Sequence, residues 1–222
     1  NGSTVLAVNS VVPYADLNQF NYEPAANNTS MVTFTWRAAD GYNLSTNTST
    51  VTITITGIND APTGTNNTVA TNEDTQYTFA AINFGFGDTT DSPAHTLSNV
   101  RITTLPGVGS LQLNSVPVTA GQYISAANIA SGLLRFVPAA NANGASYASF
   151  TFQVQDNGGT ANGGVDLDQS ANTMTINVTA VNDAPTGTDN TVTTNEDTQY
   201  TFTTANFGFG DATDSPAHTL SN

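Results

Sequence analysis

The chain has no cysteine and no lysine, and only three arginines, two histidines and one tryptophan. Without thiols no disulfide can staple the fold, and a soft metal would find neither thiolate nor paired histidines. No apolar run approaches the roughly 20 residues that span a bilayer, so membrane insertion is not expected. No secretory leader pattern is present, though a window cut from a longer chain would lack one in any case. Against the three arginines stand 17 acidic residues, for a formal charge of -14. That charge repels nucleic acid phosphates and anionic lipid, which leaves cations, or surfaces without strong negative charge, as partners.

What the chain has in abundance is itself. Residues 57–99 and 180–222 align without a gap at an offset of 123, with 35 identities in 43 positions. Fainter echoes continue outside this segment. Tyr22 to Asn27 matches Phe136 to Asn141, Phe34-Thr35-Trp36 matches Phe150-Thr151-Phe152, and Asn9-Ser10-Val11 matches Asn114-Ser115-Val116. Repetition of this kind signals an array of equivalent units. The division is 1–58 as the C-terminal part of a first repeat, 59–181 as a complete repeat with its leading linker, and 182–222 as a linker and the N-terminal part of a third. A unit of about 120 residues has the size of a domain with its own core.

Within the complete repeat, runs of alternating Thr, Val, Ile and Phe are bounded by Gly, Asn, Asp and Pro, and no long amphipathic helix competes with them. The pattern predicts strands A (65–71), B (75–82), C (97–105), D (110–118), E (132–137), F (147–155) and G (172–181), with one short helical turn at Ile124 to Ala130. Seven short strands in that length imply an all-β chain of tandem Greek-key β-sandwich repeats of the immunoglobulin type. In an up-and-down succession, A, C, E and G run one way and B, D and F return. The A–B loop (Asn72-Glu73-Asp74) then lies with Asn182-Asp183 at the lower end. The B–C loop (Asp88 to Asp91) and the F–G loop (Asp156, with Asp166 and Asp168 nearby) lie at the upper end.

This parity gathers separated acids at the junctions between repeats. At the second junction it brings Glu73 and Asp74, Asn182 and Asp183, and Asp211 and Asp214 together; the first offers Asn59, Asp60, Asp88, Asp91 and Asp156. Two like charges about 6 Å apart repel by roughly 2–3 kcal/mol at an effective dielectric near 20, so bare clustering opposes a packed junction. A hard cation reverses the sign. Calcium, which takes six to eight oxygen ligands, is the expected one. The competing reading is that these are ordinary turn residues, since Asn and Asp cap turns through their own side chains. The repeated segments hold 11 of the 17 acids, which favours the cation. Asp189 stands where the other copy has Asn66, and it is left out of the site.

Asn59-Asp60-Ala61-Pro62 and Asn182-Asp183-Ala184-Pro185, each followed by Asn-Glu-Asp-Thr and then D-x-x-D-S, together with Gln155-Asp156-Asn157-Gly158-Gly159, resemble the cadherin-like tandem repeats of giant bacterial adhesins and related exported repeat proteins. The resemblance covers essentially the whole chain. It implies an immunoglobulin/cadherin-like sandwich, calcium at domain junctions, and a stalk or matrix role at the cell surface or outside the cell. The family's ligand positions fall on Glu73, Asp88, Asp91, Asp156 and Asp183, and in the copy on Glu196, Asp211 and Asp214. Two departures stand out: the B–C acids are spaced D-x-x-D, and the E–F loop carries Asn141 and Asn143 where animal cadherins place acids.

Other residues are read as structural. His95 and His218 recur in Ser-Pro-Ala-His-Thr-Leu with no triad beside them, Trp36 aligns with a core phenylalanine, and Asn157-Gly158-Gly159 reads as a loose loop. The expected function is therefore a non-enzymatic, calcium-rigidified structural repeat of an extracellular adhesin stalk, matrix protein or filament. The alternative is a carbohydrate-binding or accessory module of a secreted hydrolase. Neighbouring repeats or copies of the chain are the expected partners, with any surface or glycan target elsewhere in the parent protein. Asn1 is in phase with Pro106 and Asn222 with Asn99, so the two partial repeats are nearly complementary. Two arrangements remain open: head-to-tail assembly between copies, and a window of one longer covalent array. The first would bring Asp40 of one copy to Asn182, Asp183, Asp211 and Asp214 of the next, and Glu196 and Asp197 to Asn59 and Asp60.

Overall fold

A computed structural model describes residues 6–214 and 217–221, so the phase markers Asn1 and Asn222 lie outside the described residues. The chain divides into two compact units, Asn1–Gly57 and Ile58–Asn222. In the first unit β1 (Val32–Trp36) pairs antiparallel with β2 (Ser49–Ile53), Trp36 facing Ser49. No described residue of this unit is buried. Trp36, expected in a core, is 48% exposed; among the described residues of this unit β1 and β2 are the only strands, and no second sheet is formed within it.

The second unit is an all-β sandwich of immunoglobulin type, with nine strands among the described residues. They are β3 (Asn67–Asn72), β4 (Tyr77–Thr78), β5 (Leu97–Ile102), β6 (Ser110–Leu113), β7 (Val116–Pro117), β8 (Tyr123–Ser125), β9 (Leu134–Val137), β10 (Gly144–Asp156) and β11 (Asn172–Thr179). One sheet has the order β3-β11-β10-β5-β8 and the other β4-β9-β6-β7. All pairings are antiparallel except β3 on β11, which run parallel from Asn67↔Met174 to Asn72↔Thr179.

The core follows from strand alternation. Ala148, Phe150, Phe152 and Val154 of β10, and Met174, Ile176 and Val178 of β11, all point inward and are buried. They meet Phe79, Phe84, Leu134 and Phe136, with edge-on ring pairs Phe79–Phe150 at 5.6 Å and Phe84–Phe152 at 5.0 Å.

Three expectations need correction. Strand B shrinks to β4, because the chain turns into a 3-10 turn at Ala81–Phe84 that inserts Phe84 into the core and ends on Gly85 at φ 55°. A Cβ on Gly85 would sit 1.8 Å from the Thr65 hydroxyl, so only glycine fits. Strand D splits into the hairpin β6–β7, since Asn114 and Ser115 both take positive φ, as its two-residue turn demands. Finally, the sequence expected to start a helical turn at Ile124 first forms β8 against β5. The helix α1 (Ala126–Ala130) follows, capped by the Ser125 hydroxyl accepting from the Asn128 N–H at 3.2 Å. Two extra strands between D and E leave the direction of E unchanged, so the loop parity survives.

The front of the unit is built twice. The Tyr77–Phe79 and Phe79–Phe84 ring pairs recur as Tyr200–Phe202 and Phe202–Phe207, and the Thr63–Gly87 bridge recurs as Thr186–Gly210. Burial does not recur: Phe202 is 60% exposed where Phe79 is 1%. Phe152→Ala should therefore lower unfolding free energy by about 3–5 kcal/mol in urea denaturation, and Phe202→Ala by less than about 1 kcal/mol. Equal losses would contradict this assignment of the core.

Candidate functional site

Inward alternation on β10 does not stop at its last apolar residue. Asp156 occupies the next core-facing position after Phe150, Phe152 and Val154, so a carboxylate is buried at the upper end of the sandwich. There the register with β5 shifts, and Asp156 faces Leu97. Its Oδ1 accepts from the Gly158 N–H at 2.8 Å, and the Asn59 amide donates to its two oxygens at 3.2 and 3.3 Å. The same amide donates to the Val165 carbonyl at 2.7 Å, while the Val165 N–H donates to the Asn59 carbonyl at 2.8 Å. The F–G loop, expected to be loose, is thus pinned to the linker. Asp166 lies beside it, accepting from Gln155 at 3.1 Å. Asp168 is buried and accepts from the Gly64 and Ser170 N–H groups and from Asn172, which makes it a loop anchor.

Asp88 and Asp91 complete this end. Asp88 Oδ2 accepts from the His95 N–H at 2.5 Å, and Asp91 accepts from the Asp60 N–H at 3.1 Å. The His95 ring folds back, its Nδ1 3.4 Å from both Asp88 Oδ2 and Asp91 Oδ2. One donor atom from each of Asp88, His95 and Asp156 lies within 4.8 Å of the others. Burial, reinforced by the Asp88 charge, pushes Asp156 above the ordinary carboxylate value against its hydrogen bonds and the nearby His95.

A second cluster forms at the linker that follows β11. The Asp183 N–H donates to Asp214 at 2.9 Å, and the His218 N–H donates to Asp211 at 2.6 Å, repeating the Asp60–Asp91 and His95–Asp88 pairs. Desolvation raises the Asp183 carboxyl, and the charges of Asp214, Asp74, Glu73 and Asp211 raise it further. Asp214 moves the other way, held down chiefly by the Asp183 N–H and also by His218. Among the described residues Asp183 Oδ2 and Asp211 Oδ1 are buried without a hydrogen-bond partner. Glu73 continues the inward face of β3 and is itself buried; it accepts from the Val181 N–H at 2.6 Å and from Asn143 at 2.9 Å, tying the end of β11 to the linker. Asp74 accepts from the Asn141 N–H at 3.0 Å. The two E–F asparagines that depart from the family pattern therefore serve the lower acids as donors.

The structure brings together Asn59, Asp60, Asp88, Asp91 and Asp156 at one end, and Asp183, Asp211 and Asp214, under the charge of Glu73 and Asp74, at the other. It does not bring Asn182 in, which donates to the Asp183 carbonyl from an exposed position; Glu196, whose expected partners belong to a neighbouring copy, is exposed. Asp40, in the other unit, accepts from the Tyr42 and Asn43 N–H groups at 2.9 and 2.8 Å, which lower its pKa; it shapes a turn. His95 is the residue that sequence reasoning set aside. Its fixed spacing from Asp88 and Asp91, kept in His218, Asp211 and Asp214, was the available signal.

The family model described as bacterial Ig domain matches residues 59–179. No curated protein and no solved structure matches the chain significantly. Among the described residues no helix is long and apolar enough to cross a membrane.

The two opposite shifts generate a test. A folded-state pKa raised above the ordinary 3.8 means that Asp183 favours the fold below that pH, and the contribution is lost as pH rises through the folded value. Asp214, lowered, favours the fold above its ordinary value and loses that contribution as pH falls through the folded one. In metal-free chain at pH 7, Asp183→Asn should raise the melting temperature and Asp214→Asn should lower it. Both differences should shrink toward pH 3 when followed by circular dichroism. A fall in melting temperature for Asp183→Asn would reverse the sign and reject the assignment.

Proposed function

The chain belongs to the bacterial Ig domain family, a family of structural modules carried on exported and surface proteins, and from that premise we propose that it is a calcium-rigidified structural repeat of an extracellular adhesin stalk, matrix protein or filament. The observation that carries the metal is at the linker after β11. Two buried carboxylate oxygens, Asp183 Oδ2 and Asp211 Oδ1, lack partners, within the field of Glu73, Asp74 and Asp214. A buried ionised oxygen without a donor is costly, and repulsion among neighbouring carboxylates adds to that cost. A hard divalent cation offsets both at once, and carboxylate oxygens are the donors that calcium takes. The residues present fit it.

The role follows from position. Glu73 and Asp74 belong to the lower end of one sandwich, Asp183 to the linker, and Asp211 and Asp214 to the next repeat unit. An ion shared among them would tie two successive repeats together. With calcium absent, the same charges would drive them apart. This supports the finer likeness to cadherin-like adhesin repeats and a structural role for the chain.

Two measurements check the reading. Calcium at about a hundredfold excess over its Kd should stabilise the chain by about 2.7 kcal/mol, so chelation should lower the melting temperature and broaden the small-angle scattering profile. An unchanged curve and profile in excess chelator would sink the proposal. Asp183→Ala should weaken calcium binding by about tenfold or more, on the scale of losing one metal-binding partner, whereas Asp189→Asn should change it little. Equal effects on affinity in isothermal titration would remove Asp183 from the site.

A further inference from the structure

We propose that the upper cluster of the complete repeat is a second, chemically different metal site: a mixed nitrogen and oxygen site for a borderline divalent cation of the zinc class, held by His95 Nδ1, Asp88, Asp156 and Asn59 Oδ1. It extends the reading of the acidic ends as cation sites and gives this end an ion of its own.

Three donor atoms from two segments of chain, the linker and the B–C loop, carry the inference. Asn59 Oδ1, Asp88 Oδ1 and His95 Nδ1 are each buried with no hydrogen-bond partner. Asn59 and Asp88 as whole residues are 9% and 7% exposed. The Asn59 amide nitrogen is spent on Asp156 and Val165, which fixes the flip of the side chain and leaves its oxygen free. Donors bound to one ion at about 2.0–2.4 Å lie at most about 4.8 Å apart, and the donor atoms of Asp88, His95 and Asp156 fall within that limit.

The site is walled by glycine. A Cβ on Gly158 would come within 1.9 Å of Asn59 Oδ1 and 2.7 Å of His95 Cε1, so the bare backbone of the F–G loop is what lets these two groups face the carboxylates. His95 itself is aimed by its own N–H, which donates to Asp88. An imidazole nitrogen is a poor calcium donor and a good one for zinc, cobalt or nickel, so its place among three oxygen donors changes the ion preferred.

The copy carries the first part of the same arrangement, with donor atoms of Asp211, Asp214 and His218 also within 4.8 Å of one another. His218 has the same neighbours, Asp211 and Asp214, at 3.3 and 3.4 Å. Its side chain is 59% exposed, against 29% for His95. Among the described residues it has no counterpart of Asp156 or of the Gly158 wall.

The test uses the full 222-residue chain with calcium in excess, so that oxygen-only sites are filled. Cobalt(II) is titrated and followed by its visible ligand-field bands, and zinc is titrated into chain carrying 15N-histidine. One tightly bound cobalt is expected. His95→Ala should weaken it by about 100-fold, Gly158→Ala and Asp156→Asn by about tenfold or more, and His218→Ala by less than about threefold. Zinc should shift the Nδ1 resonance of His95 and leave that of His218 in place, a readout on unmutated protein that needs no variant to fold. Cobalt binding unchanged by His95→Ala, absence of cobalt binding under excess calcium, or a zinc shift confined to His218 would each overturn the proposal. The calcium reading stands or falls separately. A chelator-insensitive melting curve alongside His95-dependent cobalt binding strikes only that reading, and calcium-dependent melting without cobalt binding strikes only this one.

Discussion

A carboxylate on the inward face of a β-sandwich has to be answered by something, and how Asp156, Asp88 and Glu73 are answered organises both ends of this molecule. The inward row of β10 runs apolar through the middle and then places Asp156 at its last buried position, and the inward row of β3, with Val69 buried, ends on the buried Glu73. In the middle of the core such a group would cost several kcal/mol. At the end of a strand it can recruit loops instead. Asp156 recruits Asn59 of the linker and the Gly158 turn; Glu73 recruits Val181 at the exit of β11 and Asn143 of the E–F loop. The loops of this domain are ordered because buried oxygens need donors.

The acids at each end are answered to different degrees. Glu73 has a donor on each oxygen, and Asp168 has several. Asp88, Asp211 and Asp183 each keep one buried oxygen unanswered. Fully satisfied acids behave as fasteners within the domain, while partly satisfied ones hold electrostatic strain that a cation can relieve. Burial raises Asp156 although both its oxygens accept hydrogen bonds, burial and neighbouring charge raise Asp183, and the Asp183 N–H lowers Asp214.

What could be read from the sequence was what period two and repetition dictate. The inward residues of β10 and β11, the immunoglobulin-type sandwich and the convergence of Asp60 with Asp91 and of Asp183 with Asp214 all follow from spacing and strand direction. What could not be read depended on tertiary choices. The strand expected over 75–82 is cut to Tyr77–Thr78 because the chain turns into the 3-10 turn that seats Phe84, and Tyr123 to Ser125 becomes a strand because β5 has a free edge there. Trp36 has the sequence of a core residue, but no second sheet forms among the described residues of its unit. His95 was passed over because its partners lie four and seven residues earlier in a loop whose folding-back no periodicity reveals.

The parallel pairing of β3 with β11 determines how the domain would meet a pulling force. The chain enters along β3 and leaves along β11, and the two are hydrogen-bonded side by side over six residue pairs, from Asn67↔Met174 to Asn72↔Thr179. Tension applied through the two linkers drags β3 backward and β11 forward, which slides one strand along the other. The bonds between them then bear the load together instead of opening one at a time from an end. A chain of such domains resists being drawn out in sequence order far better than it resists being peeled apart sideways.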